Sequence, residues 1–203
     1  MAIVTDVREN RGLVEIQAEG ATVLRVRKAH YDKLPLSAGE DVDLDAYADR
    51  LAATQFADAY EAALTSLDFC ARTAREIGNT LRRKGYVEPA VEAVVAKLTE
   101  SGLIDDAQYA RRMAETQSNK PVGVYAFKRK LRAKGISEED AEEARAAFDD
   151  VQQQAAALQA ARSLYRKYGS LPEREARAKL SQALARRGFG WDAIESAVDQ
   201  LFD

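Results

Sequence analysis

Two kinds of hydrophobic rhythm divide the chain. Up to about residue 45, apolar residues come in short β-branched runs with partial alternation: Ile3-Val4-Thr5-Asp6-Val7, Leu13-Val14-Glu15-Ile16 and Thr22-Val23-Leu24-Arg25-Val26. A period near two is the mark of strands, and Asn10-Arg11-Gly12 and Glu19-Gly20 between the runs are turn formers. The pattern predicts two or three antiparallel strands, closed by a loop from Leu36 to Asp43. From about Asp45 the chain turns rich in Ala, Leu, Glu, Arg and Gln, all strong helix formers. Pro89, Pro121 and Pro172 stand where helices can begin. Thr73-Ala74-Arg75-Glu76 has the capping-box form, and Asp105 and Ser137 are placed as N-caps. Gly85, Gly102, Gly135, Gly169 and Gly188 mark helix ends.

The helical part repeats. Leu81-Arg82-Arg83-Lys84-Gly85-Tyr86, Leu131-Arg132-Ala133-Lys134-Gly135-Ile136 and Leu184-Ala185-Arg186-Arg187-Gly188-Phe189 align, with their glycines 50 and then 53 residues apart. Apolar positions coincide around them. Leu81, Leu131 and Leu184 match, as do Ile77, Phe127 and Leu180; Val91, Ala141 and Ile194; and Leu98, Phe148 and Leu201. Each repeat therefore predicts a first helix, a second helix ended by glycine, and a third. The first helices are placed at Tyr47–Leu67, Asp105–Gln117 and Gln152–Tyr168. A three-helix unit of this size buries its apolar face only against neighbours. The expected fold is mainly α, with three tandem three-helix repeats in an elongated, curved array behind a small antiparallel β unit. The divisions are 1–45 for the prefix and 46–102, 103–151 and 152–203 for the repeats. No glycine or proline separates Glu138 from Tyr168, so the second and third repeats are open to sharing one continuous helix. Removal of residues 1–44 is expected to leave the array folded.

Charge changes this picture only when read by segment. The net charge is −3, which by itself suggests no nucleic-acid partner. Yet Arg111 to Gly135 holds eight basic residues against Glu115, and Ile136 to Asp150 holds seven acidic residues against Arg145. With Leu81 facing the core and about 100° per residue, Arg72, Arg75, Arg82 and Arg83 fall on the outer face of the first glycine-ended helix. In the second repeat Arg129 and Arg132 take that sector, with Lys130 at its edge and Lys128 beside it. In the third the sector belongs to Lys179 and Arg186. These ten residues are the candidate binding face. Cations just before the glycines, Lys84, Lys134 and Arg187, are accounted for by the helix macrodipole, and so are the acids opening the third helix of repeat two. Pairing of those acids with the next repeat's basic helix is the alternative.

Candidate chemistry is sparse. His30 is the single histidine and Cys70 the single cysteine, so neither a zinc site nor a disulfide can be assembled. No phosphate-cradling or nucleophile motif is present. Asp105-Asp106 reads as an N-cap and a first-turn acid, Cys70 as a small core residue, and Trp191 as packing at the start of the last helix. No catalytic residue, cofactor or metal is expected. With 46% hydrophobic and 31% charged residues, no apolar run of the ~18 residues a membrane span needs, and a lone thiol, a soluble cytoplasmic protein without membrane contact is expected.

Particular residues also resemble a known family. Ala59-Tyr60-Glu61-Ala62-Ala63-Leu64, Thr73-Ala74-Arg75-Glu76 and Leu81-Arg82-Arg83-Lys84-Gly85-Tyr86 look like the first repeat of RecX regulatory proteins. Gly102-Leu103-Ile104-Asp105-Asp106-Ala107-Gln108-Tyr109-Ala110 is similar to that family's second-repeat opening, and Lys130-Leu131-Arg132-Ala133-Lys134-Gly135-Ile136 to a further block. The resemblance covers about residues 45 to 203 and leaves the β-like prefix outside the family's core. It implies a monomeric, non-enzymatic regulator of homologous recombination, DNA repair and the SOS response, lying in the groove of the RecA–single-stranded DNA filament. There it would restrain RecA ATPase, strand exchange and coprotease activity, with the basic helices touching RecA, filament DNA or free DNA. The alternative is a free-standing nucleic-acid-binding helical repeat that acts on RecA only indirectly; an inert scaffold is a third reading. Arg177 departs from the pattern, because it points toward the apolar side of its helix: either it snorkels or the helix boundary is misplaced.

Overall fold

The computed structural model describes residues 1–118 and 120–202. It divides into two compact units, Met1–Asp105 and Asp106–Asp203.

In the first unit, strands β1 (Ala2–Asn10), β2 (Leu13–Ala18) and β3 (Ala21–Arg27) form consecutive antiparallel hairpins. A short helix α1 (Lys28–Tyr31) follows, and then β4 (Asp41–Val42) pairs with the start of β1, giving the order β3-β2-β1-β4. The end of the expected loop is therefore a fourth strand. Val4, Ile16, Val26, Leu36 and Val42 are buried in one core. Helix α2 (Leu44–Phe69) starts at Asp43, whose carboxylate accepts from the N–H groups of Asp45 and Ala46 at 3.1 Å. It serves two cores. Tyr47, Ala48 and Leu51 in its first half pack with the sheet, while Ala59 and Ala63 in its second half pack with α3 (Ala74–Arg83) and α4 (Glu88–Glu100). Val87 and Ala90 also lie in the sheet's core. The prefix is thus continuous with the first repeat. The expectation that residues 1–44 can be removed harmlessly is reversed, because removal would uncover apolar side chains of α2 and α4.

The glycine after α3 joins the two parts. Gly85, at φ +83°, accepts a hydrogen bond from Arg27 N–H at 3.2 Å, and a Cβ there would stand 2.4 Å from Leu13 Cδ2. Only glycine combines this left-handed backbone with so close an approach.

The second unit holds α5 (Asp106–Ser118), α6 (Val124–Ala133) and α7 (Glu138–Arg145), then α8 (Asp150–Tyr168), α9 (Glu173–Arg186) and α10 (Trp191–Phe202). Helices α7 and α8 are separate, with a fresh N-cap at Asp149. The first helices run Leu44–Phe69, Asp106–Ser118 and Asp150–Tyr168, close to the spans expected. Leu81, Leu131, Leu184, Ile77, Phe127 and Leu180 are all 0% exposed, so the coinciding apolar positions do form the repeat cores. Thr73 and Glu76 close the expected capping box, and Ser137 accepts from Asp140 N–H at 3.0 Å. Gly188 mirrors Gly85. Its carbonyl accepts from Tyr125 N–H at 3.0 Å, Arg187 O accepts from Gly123 N–H at 3.1 Å, and a Cβ on Gly188 would lie 2.2 Å from Ala126 N. In both units the turn ending a second helix is the point where the preceding segment docks.

Two expectations fail. Cys70 follows the end of α2 and is exposed. Trp191 opens α10 but is 69% exposed, and with Tyr125 it lines an open cleft of about 440 Å³. Arg177 snorkels: its guanidinium lies over the Phe202 ring and pairs with Glu173 and Asp199.

Candidate basic interface

Helices α3, α6 and α9 bury one stripe of Leu, Ile and Phe and so turn the opposite face to solvent. Arg75, Arg82, Arg83, Arg129, Lys130, Arg132, Lys179 and Arg186 are exposed, and Lys128 is half-buried. Arg72 is misplaced by the helical wheel. It lies two residues before α3 begins, outside any helix and half-buried, because Thr73 caps that helix.

Exposure does not leave these cations free. Arg82 grips Glu88 with two hydrogen bonds, Nε donating to Oε2 at 2.7 Å, and this holds the Glu88 carboxyl below its usual range. Lys128 reaches Glu138 at 2.8 Å and Glu142 at 2.6 Å. Arg132 reaches Glu138 at 2.9 Å, Arg111 reaches Glu143 at 3.2 Å, and Lys179 reaches Glu175 at 2.7 Å. Glu138 is drawn down to about 2, first by the hydrogen bond from Lys128 and then by that from Arg132. The acids of α7 therefore do more than match a helix dipole. Among the described residues they neutralise α5 and α6 of their own repeat, not the basic helix of the next.

Among the described residues, three of the exposed candidates have neither a carboxylate partner nor an amide one: Arg83, Arg129 and Arg186. Arg83 donates only to Thr80 Oγ1, and Lys130 bonds the neutral amide of Gln117. One on each glycine-ended helix, these three arginines are what the sequence-derived face retains.

A second group escaped the sequence reading. Arg11 and Gly12 of the β1–β2 turn, Leu13, Arg27, Arg83 and Lys84 line an open cleft of about 420 Å³ in the first unit. The Arg27 guanidinium is fixed there by a 2.6 Å hydrogen bond to Tyr86 Oη and sits over that ring at 5.4 Å. Nothing in the spacing of Arg11 and Arg83 signals this meeting, which depends on the hairpin docking at Gly85.

His30 is buried within reach of α2. Its Nε2 lies 3.1 Å from Asp58 Oδ2, but at an angle that makes no hydrogen bond. Burial outweighs the pull of Asp58 and pushes the imidazole below the ordinary histidine range. Among the described residues no group of three His, Cys, Asp or Glu side chains could hold a metal, and no helix is long and apolar enough to cross a membrane.

These features define a class: a three-helix-repeat protein with an N-terminal sheet, whose surface carries cations on the glycine-ended helices. The models of the first, second and third three-helix domains of RecX match residues 59–98, 105–144 and 150–198. Regulatory protein RecX of Limosilactobacillus reuteri strain DSM 20016 is 29% identical over 197 residues, 97% of this chain and 75% of the relative. That of Streptococcus pneumoniae strain Hungary19A-6 is 36% identical over 149 residues, 72% of this chain and 57% of the relative. A crystal structure of regulatory protein RecX superposes with a TM-score of 0.69 at 29% identity, covering 98% of this chain and 100% of that one. RecX from Lactobacillus salivarius gives 0.65 at 29% identity, over 73% of this chain and 97% of that one. The chain belongs to the RecX family of regulatory proteins. With 97% and 98% of the chain covered, the first of these relatives and the first structure take in the N-terminal sheet as well as the repeats.

Proposed function

We propose that this protein is a non-enzymatic, cytoplasmic regulator of homologous recombination and repair that binds the RecA–single-stranded DNA filament as a monomer. It occupies the filament groove and inhibits ATPase, strand exchange and coprotease activity. The observation that carries the reading is the set of unneutralised arginines, Arg83, Arg129 and Arg186, one on each repeat of a RecX-family chain. A groove lined by DNA phosphate and acidic protein surface rewards cations presented at intervals, and each such contact is stronger for having no internal carboxylate to give up. Inhibition by this route needs only binding and no catalytic group.

The test is RecA ATPase on single-stranded DNA with this protein titrated below one molecule per RecA protomer. Strong inhibition at substoichiometric ratios is expected, since one bound molecule spanning several protomers stalls its neighbours. Absence of inhibition with RecA of the matching species would overturn the proposal and favour direct nucleic-acid binding.

A further inference from the structure

We propose that the cleft between the β1–β2 turn and the end of α3 is a backbone-phosphate site for single-stranded DNA, built jointly by the sheet and the first repeat. The inference deepens the proposed function and rests on it in one respect, that the strand engaged in the cell is the DNA of the filament.

Charge accounting carries the argument. Four cations converge on the cleft: Arg11 and Arg27 from the sheet, Arg83 and Lys84 from the end of α3. No carboxylate lines it, and among the described residues none of the four has an acidic partner. Their neighbours are treated differently. Lys28 pairs with Glu9 at 3.2 Å and Asp32 at 3.3 Å, Arg25 with Glu15 at 2.9 Å, and Arg82 with Glu88. Cations next to them in sequence are thus matched by acids, and the four cations of the cleft are the ones left unmatched. Like charges gathered without a counter-ion repel one another, and an anion drawn into the cleft relieves that repulsion.

The ligand's class follows from the lining. Three guanidinium groups offer planar forks of N–H donors, suited to the paired oxygens of a phosphate, and the lysine adds a point charge. No aromatic ring lines the cleft, and Tyr86, beneath Arg27, is buried and already covered, so no face is offered for a base to stack on. The site therefore holds backbone without reading sequence. Arg27 is the pre-set member, clamped by Tyr86 Oη, whose own hydrogen is donated to Asp58 O at 3.1 Å. Arg11, Arg83 and Lys84 are exposed and complete the grip.

The decisive measurement uses the full-length ¹⁵N-labelled protein and its arginine Nε–Hε resonances, assigned by the single substitutions Arg11→Asn and Arg83→Gln. Asparagine suits the positive φ of position 11. Titration with a 20-mer of thymidylate is expected to move the Arg11, Arg27 and Arg83 signals together. If they stay still at millimolar oligonucleotide, or if a hexaglutamate peptide moves them as far, the phosphate site is refuted. Fluorescence anisotropy supplies the second readout. Combining Arg11→Asn, Arg83→Gln and Lys84→Gln should raise Kd about tenfold and flatten the log–log salt slope by about 0.7 to 1.4, one or two phosphates' worth on a single strand. An unchanged slope with unchanged melting temperature would overturn the site. RecA inhibition is scored separately. A wild-type protein that grips the oligonucleotide through these arginines yet spares RecA ATPase sinks the functional reading alone. One that inhibits RecA while the triple variant keeps its salt slope sinks the site alone.

Discussion

The Gln55 side-chain carbonyl accepts a hydrogen bond from Val87 N–H at 2.8 Å, in a position where the glutamine is 0% exposed. Val87 is the N-cap of α4 and has no side chain able to cap its own helix. A residue of the first helix thus closes the start of the third. Gln153, on the first helix of the third repeat, likewise accepts from Val124 N–H at 3.1 Å, at the start of the second repeat's α6, where Gly123 is the N-cap. Replacing Gln55 by Met keeps the volume but leaves the Val87 N–H buried without a partner, a loss of about 1–3 kcal/mol. Urea unfolding should show that loss for Gln55→Met. The exposed Gln182→Met should stay within about 0.5 kcal/mol of wild type.

Gly188 is required for two separate reasons that can be measured apart. Its φ of +83° disfavours any Cβ, and a Cβ would also press on the α6 backbone, 2.2 Å from Ala126 N. Gly102 shares the first property, at φ +70°, but has open space around it. Gly102→Ala should therefore cost about 1–2 kcal/mol for the left-handed backbone alone. Gly188→Ala should cost more than twice as much, because two backbones must part. Equal losses in thermal melts of the two variants would show that the close approach carries no energy.

Deletion of residues 1–43 should damage the first unit, not merely trim it. Tyr47, Leu51, Val87 and Ala90 lose the sheet that covers them, and each large side chain uncovered forfeits about 1.5–3 kcal/mol. That total approaches the whole stability of a small domain, about 5–15 kcal/mol. Dye binding to exposed apolar surface and loss of a cooperative melt are the expected results. A sharp, wild-type-like transition would mean that α2 to α4 form a self-sufficient core.

What the sequence disclosed, and what it hid, follows the range of the interactions involved. The stripe Leu81, Leu131 and Leu184 was legible because helical periodicity is local and three copies reinforce it. The role of Gln55 was half-legible. It stands four residues from both Leu51 and Ala59, on the core stripe of α2, but its partner is 32 residues away. The segregation of basic and acidic segments could be read directly. That Lys128 spends its charge on Glu138 and Glu142 could not, since it depends on how α7 folds back on α6. Arg72 is a different case: the capping box at Thr73, itself legible, already excludes it from the helix. The cleft of Arg11, Arg27, Arg83 and Lys84 joins residues up to 73 positions apart in the sequence through a hairpin docked at Gly85, and no periodicity reports such a meeting.

Arg129 and Arg132 are neighbours in the predicted face but should answer differently to charge reversal. Arg129 has no acidic partner among the described residues, so Arg129→Glu should leave melting unchanged. It should raise the concentration for half-inhibition of RecA ATPase about tenfold, the ~1.4 kcal/mol of one charge-assisted contact. Arg132→Glu instead sets a like charge against Glu138, the carboxylate that Arg132 helps to hold down. It should lower the melting temperature slightly, in keeping with the ~0.2–1 kcal/mol of an exposed pair. If the two variants melt and inhibit alike, the ion pairing of α6 with α7 has no functional consequence.

His30 gives the first unit a pH response whose direction can be worked out. It is the single histidine of the chain, so between pH 7.5 and 5.5 it is the side chain whose ordinary titration range is crossed. Burial pushes its pKa down in the folded protein, against Asp58 and with the help of Lys33 and Arg27. The unfolded chain therefore takes up a proton just below about pH 6.5 that the folded chain refuses, and stability rises with pH wherever the unfolded state binds more protons. Melting temperature should be flat above that value, fall as the pH drops below it, and level off once the folded pKa is passed. His30→Gln removes the titrating group and should flatten the profile over that window, whatever it does to stability overall. A wild-type melting temperature that instead climbs on acidification would mean that the Asp58 carboxylate wins, forming a true ion pair with a protonated imidazole.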